Sequence, residues 1–141
     1  MRFTHRDIVR FARSLVGVRY ELCGRSTSTG LDCIGLIVVV AQKFGQNFED
    51  TIGYPAIADG TLTAKIDRWF YAVPHDCPSL PGDFGLFWTD ARTKAAQHLA
   101  FLDGNRMIHA DIHVLSVVEH DFTPKWKKRL LKLYRFKGVD E

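Results

Sequence analysis

The stretch Leu31-Asp32-Cys33-Ile34-Gly35-Leu36-Ile37-Val38-Val39-Val40-Ala41 limits this chain more than any other. It has no polar face after Cys33, and Phe44-Gly45 stops it. A helix that is apolar nearly all round has to be covered on most sides, so the fold must wrap around it. The run is too short to cross a bilayer, which takes about 20 residues. Asp32 suits the N-cap, where a carboxylate accepts from the free N–H groups of the first turn. Gly45 suits the left-handed position just past the helix end. The stretch therefore reads as a buried core helix with the thiol of Cys33 in its first turn.

A helix N-terminus carries about half a positive charge, which favours thiolate over thiol. With an imidazolium nearby, Cys33 is expected below the roughly 8.5 of a free cysteine. A core cysteine is more often a small hydrophobe, however, so position alone does not make a nucleophile. A partner base elsewhere in the chain has to be found.

The chain of 141 residues is enough for one domain with a real core, taken as residues 1–141. An apolar share of 46% fits a soluble globular protein. A net charge of +3 tolerates an anionic polymer as partner but gives no argument for nucleic acid. Cys23, Cys33 and Cys77 form no paired framework and no Cys-x-x-Cys, which fits synthesis in a reducing compartment. Met1 to Asp7 has neither an apolar h-region nor a cleavage site, so no secretory signal is expected.

Thr4 and Asp7 resemble a capping box, and Ile8, Phe11, Ala12 and Leu15 follow at helical spacing to Gly17. Gly17 to Gly30 is dense in Ser, Thr and Gly and reads as a loop forming an active-site wall. Gln46 to Gly60 is polar and irregular around Tyr54-Pro55; Thr61 then caps a short helix through Leu62, Ile66, Trp69 and Phe70. From Gly82 the period changes. Strands are expected at Phe84–Trp88, His98–Leu102, Met107–Ala110 and Val114–Glu119, with Asp103-Gly104-Asn105 as a tight turn. A helix from about Thr123 and a strand through Phe136 complete an α+β pattern, helices first and an antiparallel sheet after.

A thiol nucleophile needs a base within hydrogen-bond reach, and the base needs a third group to orient it. His98 and His109 open or close neighbouring strands joined by the tight turn, so one hairpin sets them side by side. His98 can take the Cys33 proton while His109 fixes the His98 tautomer. His5, His75, His113 and His120 are read as satisfied or surface imidazoles. A metal site from Cys33, His98, His109 and His113 is the other option, but it lacks the short ligand spacings of structural zinc.

Asp32-Cys33-x-Gly35-Leu36 ahead of an apolar helix resembles the nucleophile motif of the NlpC family of papain-like cell-wall cysteine peptidases. Gly17-Val18-Arg19-Tyr20 is similar to the family's G-x-x-Y, and Pro81-Gly82-Asp83-Phe84-Gly85-Leu86-Phe87 to its P-G-D-x-x-x-F strand. His98 to Leu102 and the following turn to His109-Ala110 resemble its H-x-G-(I/V) strand and terminal H-A, with Ala100 in place of the common glycine. Ile34 in place of the usual serine, Val117-Val118-Glu119-His120, Trp126 and Tyr134-Arg135-Phe136 resemble the branch encoded with phage tails and gene-transfer-agent particles.

The resemblance implies a papain-like α+β domain with Cys33 at a helix N-terminus against a sheet carrying His98 and His109. It implies hydrolysis of peptidoglycan stem peptides, typically between D-γ-glutamate and the diamino acid. Cys33 is then nucleophile, His98 base and acid, His109 orienter, Tyr20 an oxyanion or substrate contact or else a loop-packing aromatic, and Asp32 the cap of the nucleophile helix. No metal or organic cofactor is needed. The expected partners are the stem peptide and phage-like tail-tip proteins, without nucleic acid or membrane insertion. The place of action is the cell wall, reached through the periplasm from a virion or tail. A non-catalytic tail-tip component and a thiol acyltransferase on the same residues are the competing functions.

Overall fold

The computed structural model describes residues 1–50, 54 and 59–140. Thr4 caps α1 (His5–Ser14) through a complete capping box. The Thr4 hydroxyl accepts from Asp7 N at 3.1 Å, and Asp7 Oδ2 accepts from Thr4 N at 2.8 Å. Ile8, Val9 and Ala12 form its buried stripe. The segment read as a loop folds into a minimal hairpin, β1 (Arg25–Ser26) against β2 (Gly30–Leu31). α2 (Cys33–Lys43) begins at its Asp32 cap, as expected, and ends at Phe44. It buries Leu36, Ile37, Val38, Val40 and Ala41. Each fully buried Leu, Ile or Val contributes roughly 1.5–3 kcal/mol, so this helix anchors the core.

Part of the irregular Gln46 to Gly60 stretch, including Pro55 beside Tyr54, lies outside the described residues. α3 (Thr61–Trp69) corrects the expected cap: Gly60, in the left-handed conformation at φ 89°, holds the N-cap position. Thr61 is the first helical residue because Asp59 Oδ1 takes both its N–H (3.0 Å) and its hydroxyl (2.7 Å). Its side chain is therefore already engaged and cannot cap the turn that follows.

The short β3 (Tyr71–Ala72) was not legible in the sequence. It is followed by β4 (Phe84–Trp88), β5 (Ala96–Asp103), β6 (Arg106–Asp111) and β7 (Ser116–Asp121). α4 (Pro124–Arg129), capped by Thr123, leads into β8 (Leu130–Arg135). The sheet order is β3-β8-β4-β5-β6-β7, every pairing antiparallel. β4 to β7 meander as the turn signals require, whereas β8 returns to the far side of β4. Asp83 fastens that return: fully buried, it accepts two 2.8 Å bonds from the Arg135 guanidinium and one from Leu80 N.

The alternation of β5 divides the core. Leu99 and Phe101 join Phe84, Leu86, Ile108 and Val117 in the main cluster with α1 and α2. Ala100 and Leu102 face the other way, with Phe87, Met107, Phe122 and Trp126 of the α4 side. Among the described residues no helix is long and apolar enough to cross a membrane.

Candidate active site

Cys33 is the first residue of α2, and Asp32 organises everything around it. The buried Asp32 carboxylate accepts from Gly35 N at 2.7 Å, from Cys23 N at 2.8 Å and from Arg25 Nη1 at 3.1 Å. Arg25 is held in turn by Asp50 and by the Tyr54 hydroxyl. The cap thus also binds the preceding loop against the helix. Gly35 is what lets that loop approach: a Cβ there would lie 1.9 Å from the Gly24 carbonyl oxygen. The motif Asp-Cys-x-Gly therefore encodes a cap, a thiol and a loop contact within four consecutive positions.

Cys33 borders a cleft of about 580 Å³ between α2, α3 and the start of β5. Its walls are mostly apolar, including Ile37, Phe48, Trp69 and Phe70, and Tyr20 and Asp50 also line it. Tyr20 is half-buried on the loop, its backbone bridged to Leu31. Burial, together with the nearby Cys33 and Asp32, pushes its phenol up to about 12.

The thiol makes its hydrogen bond to the carbonyl oxygen of Gln97 at 3.9 Å, not to an imidazole. Gln97 is the residue before His98, so Cys33 rests against β5 one residue from the predicted base. His98 itself lies on the α4 side of the sheet, its ring 5.5 Å from Trp126. Its Nε2 is 2.8 Å from His109 Nδ1. The structure therefore joins the two predicted histidines directly and leaves His98 Nδ1 as the nitrogen outside that bond.

The chain of imidazoles continues. His109 Nε2 is 2.7 Å from His120 Nε2, and His120 Nδ1 is 2.8 Å from the Asp121 carbonyl oxygen. His120, read from the sequence as a satisfied or surface residue, is thus part of the cluster. The signal was strand register. Met107 pairs with His120 and His109 with Val118, which makes His109 and His120 diagonal neighbours on one face. The expected strand stopped at Glu119, one residue short. His113 does not join: it sits exposed in the turn between β6 and β7. Among the described residues no three His, Cys, Asp or Glu side chains are placed to hold a metal ion.

The electrostatics correct one expectation. Burial pushes the Cys33 thiol up to about 12, and the Asp32 carboxylate adds to the rise. The backbone groups of Leu99, Ile34 and Cys33 oppose it but do not prevail. Burial likewise lowers His98 to about 4, with Asp111 pulling weakly upward. His109 falls to about 3, through burial and then the neighbouring imidazoles. Burial thus works against the charged form of both the thiol and the imidazole. The helix end alone does not make a thiolate, because the same short stretch supplies burial and a negative charge.

The profile of the NlpC/P60 family matches residues 17–135. An NlpC/P60 family protein from Bacillus cereus ATCC 10987 shares the fold with a TM-score of 0.73 at 20% identity, over 96% of this chain and 41% of that one. NlpC2 from Trichomonas vaginalis does so with 0.72 at 16% identity, over 94% and 46%. The NlpC/p60 domain of the peptidoglycan hydrolase SagA gives 0.64 at 22% identity, over 94% and 98%. The chain thus spans less than half the length of the first two proteins and nearly all of the third domain. No curated protein sequence matches the chain.

Proposed function

The chain belongs to the NlpC/P60 family, with its papain-like α+β fold, and on that premise we propose that it is a cysteine peptidase cutting peptidoglycan stem peptides. The observation that carries this reading is the His98–His109 bond at 2.8 Å, which leaves His98 Nδ1 for a thiol resting one residue away. The near-equal length of the SagA hydrolase domain supports the substrate class.

In this reading the thiol leaves the Gln97 carbonyl and pairs with His98 Nδ1 when substrate binds. His98 accepts the thiol proton as Sγ attacks the amide carbonyl, and His109 holds the imidazole in place. The tetrahedral oxyanion is received by the Cys33 backbone N–H and the Tyr20 hydroxyl. His98 then gives its proton to the departing amine, leaving a thioester on Cys33. Water, deprotonated by His98, releases the new carboxylate and restores the thiol.

The scissile bond in this proposal is that between D-γ-glutamate and the diamino acid. Residues 1–141 act as one peptidase domain on a phage-like tail, opening the wall locally during genome delivery. Ile34 beside the thiol and the Val117 to His120 and Tyr134 to Phe136 patterns support that setting. The test is incubation with purified muropeptides, followed by chromatography and mass spectrometry. We expect a new amine on the diamino acid with the wild type and none with Cys33→Ser. Intact muropeptides after incubation with folded wild-type protein, or equal cleavage by the variant, overturn the reading. Transfer of the acyl group to an added amine instead of water would identify an acyltransferase.

A further inference from the structure

The imidazole chain ends on a group that can only accept. His120 Nδ1 faces the Asp121 carbonyl oxygen at 2.8 Å, so Nδ1 carries the hydrogen. A neutral His120 then offers only a lone pair at Nε2, and His109 must donate to it from its own Nε2 across 2.7 Å. His109 Nδ1 is left as a lone pair, so His98 must donate from Nε2 across 2.8 Å. His98 Nδ1 is therefore the open lone pair. While the three rings are neutral, one backbone carbonyl decides which nitrogen of His98 is basic.

We propose that His120 is a positioning residue: held by the Asp121 carbonyl, it fixes through His109 the tautomer in which His98 offers Nδ1 to Cys33. The catalytic consequence rests on the peptidase reading; the tautomer does not. Without His120 the His98–His109 pair has two arrangements of equal hydrogen-bond count. The reversed one puts the hydrogen on His98 Nδ1 and leaves no base. Packing holds the rings in their places. Trp126 lies 5.5 Å from His98 and 5.4 Å from His109, ring centre to ring centre. Successive imidazoles meet nearly edge-on, at 83° and 82°. The carbonyl is pinned as well, because the N–H of the same peptide unit, on Phe122, donates to Asn105 O at 2.6 Å. The sign of the anchor is therefore built into the backbone.

The test combines long-range proton–nitrogen NMR of 15N-histidine-labelled protein with kcat/KM on muropeptides, for wild type, His120→Gln, His120→Lys and His120→Ala. Gln offers an oxygen that can accept from His109 Nε2; Lys offers only donors. We expect wild type and His120→Gln to carry the His98 hydrogen on Nε2, with His120→Gln within about tenfold of wild-type kcat/KM. His120→Lys should move the hydrogen to Nδ1 and cost about 100-fold or more, on the scale of a lost general base. His120→Ala, which needs no accommodation of a long side chain, should show both tautomers. An unchanged single His98 tautomer in folded His120→Ala or His120→Lys overturns the proposal, as does a His120→Gln as damaged as His120→Lys. If the tautomers shift as expected but wild type cleaves no muropeptide, the peptidase reading fails and the positioning role stands.

Discussion

The two halves of the site are held by different means. On the α2 side the thiol is fixed by charge and close backbone approach: Asp32 binds Gly35, Cys23 and Arg25, and the loop carbonyl of Gly24 presses on Gly35. On the sheet side, among the described residues, no ion pair holds the imidazoles. His98, His109 and His120 bond to one another and then to a carbonyl, with Trp126 packed over the first two. The half proposed to hold the nucleophile is local in sequence, while the half proposed to hold the base takes its parts from three strands and a helix. Residue identity specifies the first; strand register specifies the second.

Substitutions separate the halves. The largest effect is expected at the groups proposed to react: Cys33→Ser should reduce muropeptide cleavage to background with an unchanged melting temperature. His98→Ala should cost roughly 10²–10⁴-fold in kcat/KM or more, since it removes the group proposed as both base and acid. His109→Ala should cost more than His109→Gln, because an amide still pairs with an imidazole. Equal losses at His109, with cooperative unfolding retained, would mean that it acts by packing alone. In the α2 half, Gly35→Ala should lower stability by more than about 3 kcal/mol in denaturant titrations, because the intruding Cβ meets the Gly24 backbone first, at 1.9 Å from its carbonyl oxygen.

A change of pH acts on the base half. Both histidines are lowered in the folded chain, from an ordinary 6.5 to about 4 and about 3. The unfolded chain therefore binds more protons between those values, and stability should be full above pH 6.5 and fall as pH drops towards 3. Melting temperatures of wild type and a His98→Phe variant over that range check it: the variant should lose less on acidification. The smallest of these effects belongs to Asp32→Asn. Its amide oxygen can still accept from Gly35 and Arg25, but its NH2 meets the Cys23 N–H, at a cost of about 1–3 kcal/mol. Removing the negative charge should also lower the Cys33 pKa, measured by the pH dependence of iodoacetamide modification. In the wild type, exposed Cys77 should react before Cys33 at neutral pH.

The same division explains what could be read from the chain. Asp32, Cys33, Gly35 and the apolar run after them lie in one short window, so the capped helix and its thiol were legible together. The His98–His109 pair was legible because a turn at Gly104-Asn105 leaves little freedom of register. His120 was not. The chain reverses later than the apolar pattern of Val114 and Leu115 implies, with Leu115 left-handed at φ 66° and β7 starting at Ser116. The return of β8 beside β4 was equally hidden, because alternation gives the faces of a strand and not its neighbours. Asp83 and Arg135 stand far apart in sequence, and only the fold pairs them. The thiol's electrostatics were misread for a related reason. The helix end is visible in sequence, but the burial that opposes it is a property of the packed core.

The most direct measurement is mass spectrometry of the acid-quenched reaction between wild-type protein and a stem peptide. We expect the proteolytic fragment carrying Cys33 to gain the mass of the acyl portion ending in D-glutamate, with Cys23 and Cys77 unmodified. Turnover with no adduct on Cys33, or an adduct on either other cysteine, would contradict the assignment of Cys33 as the nucleophile.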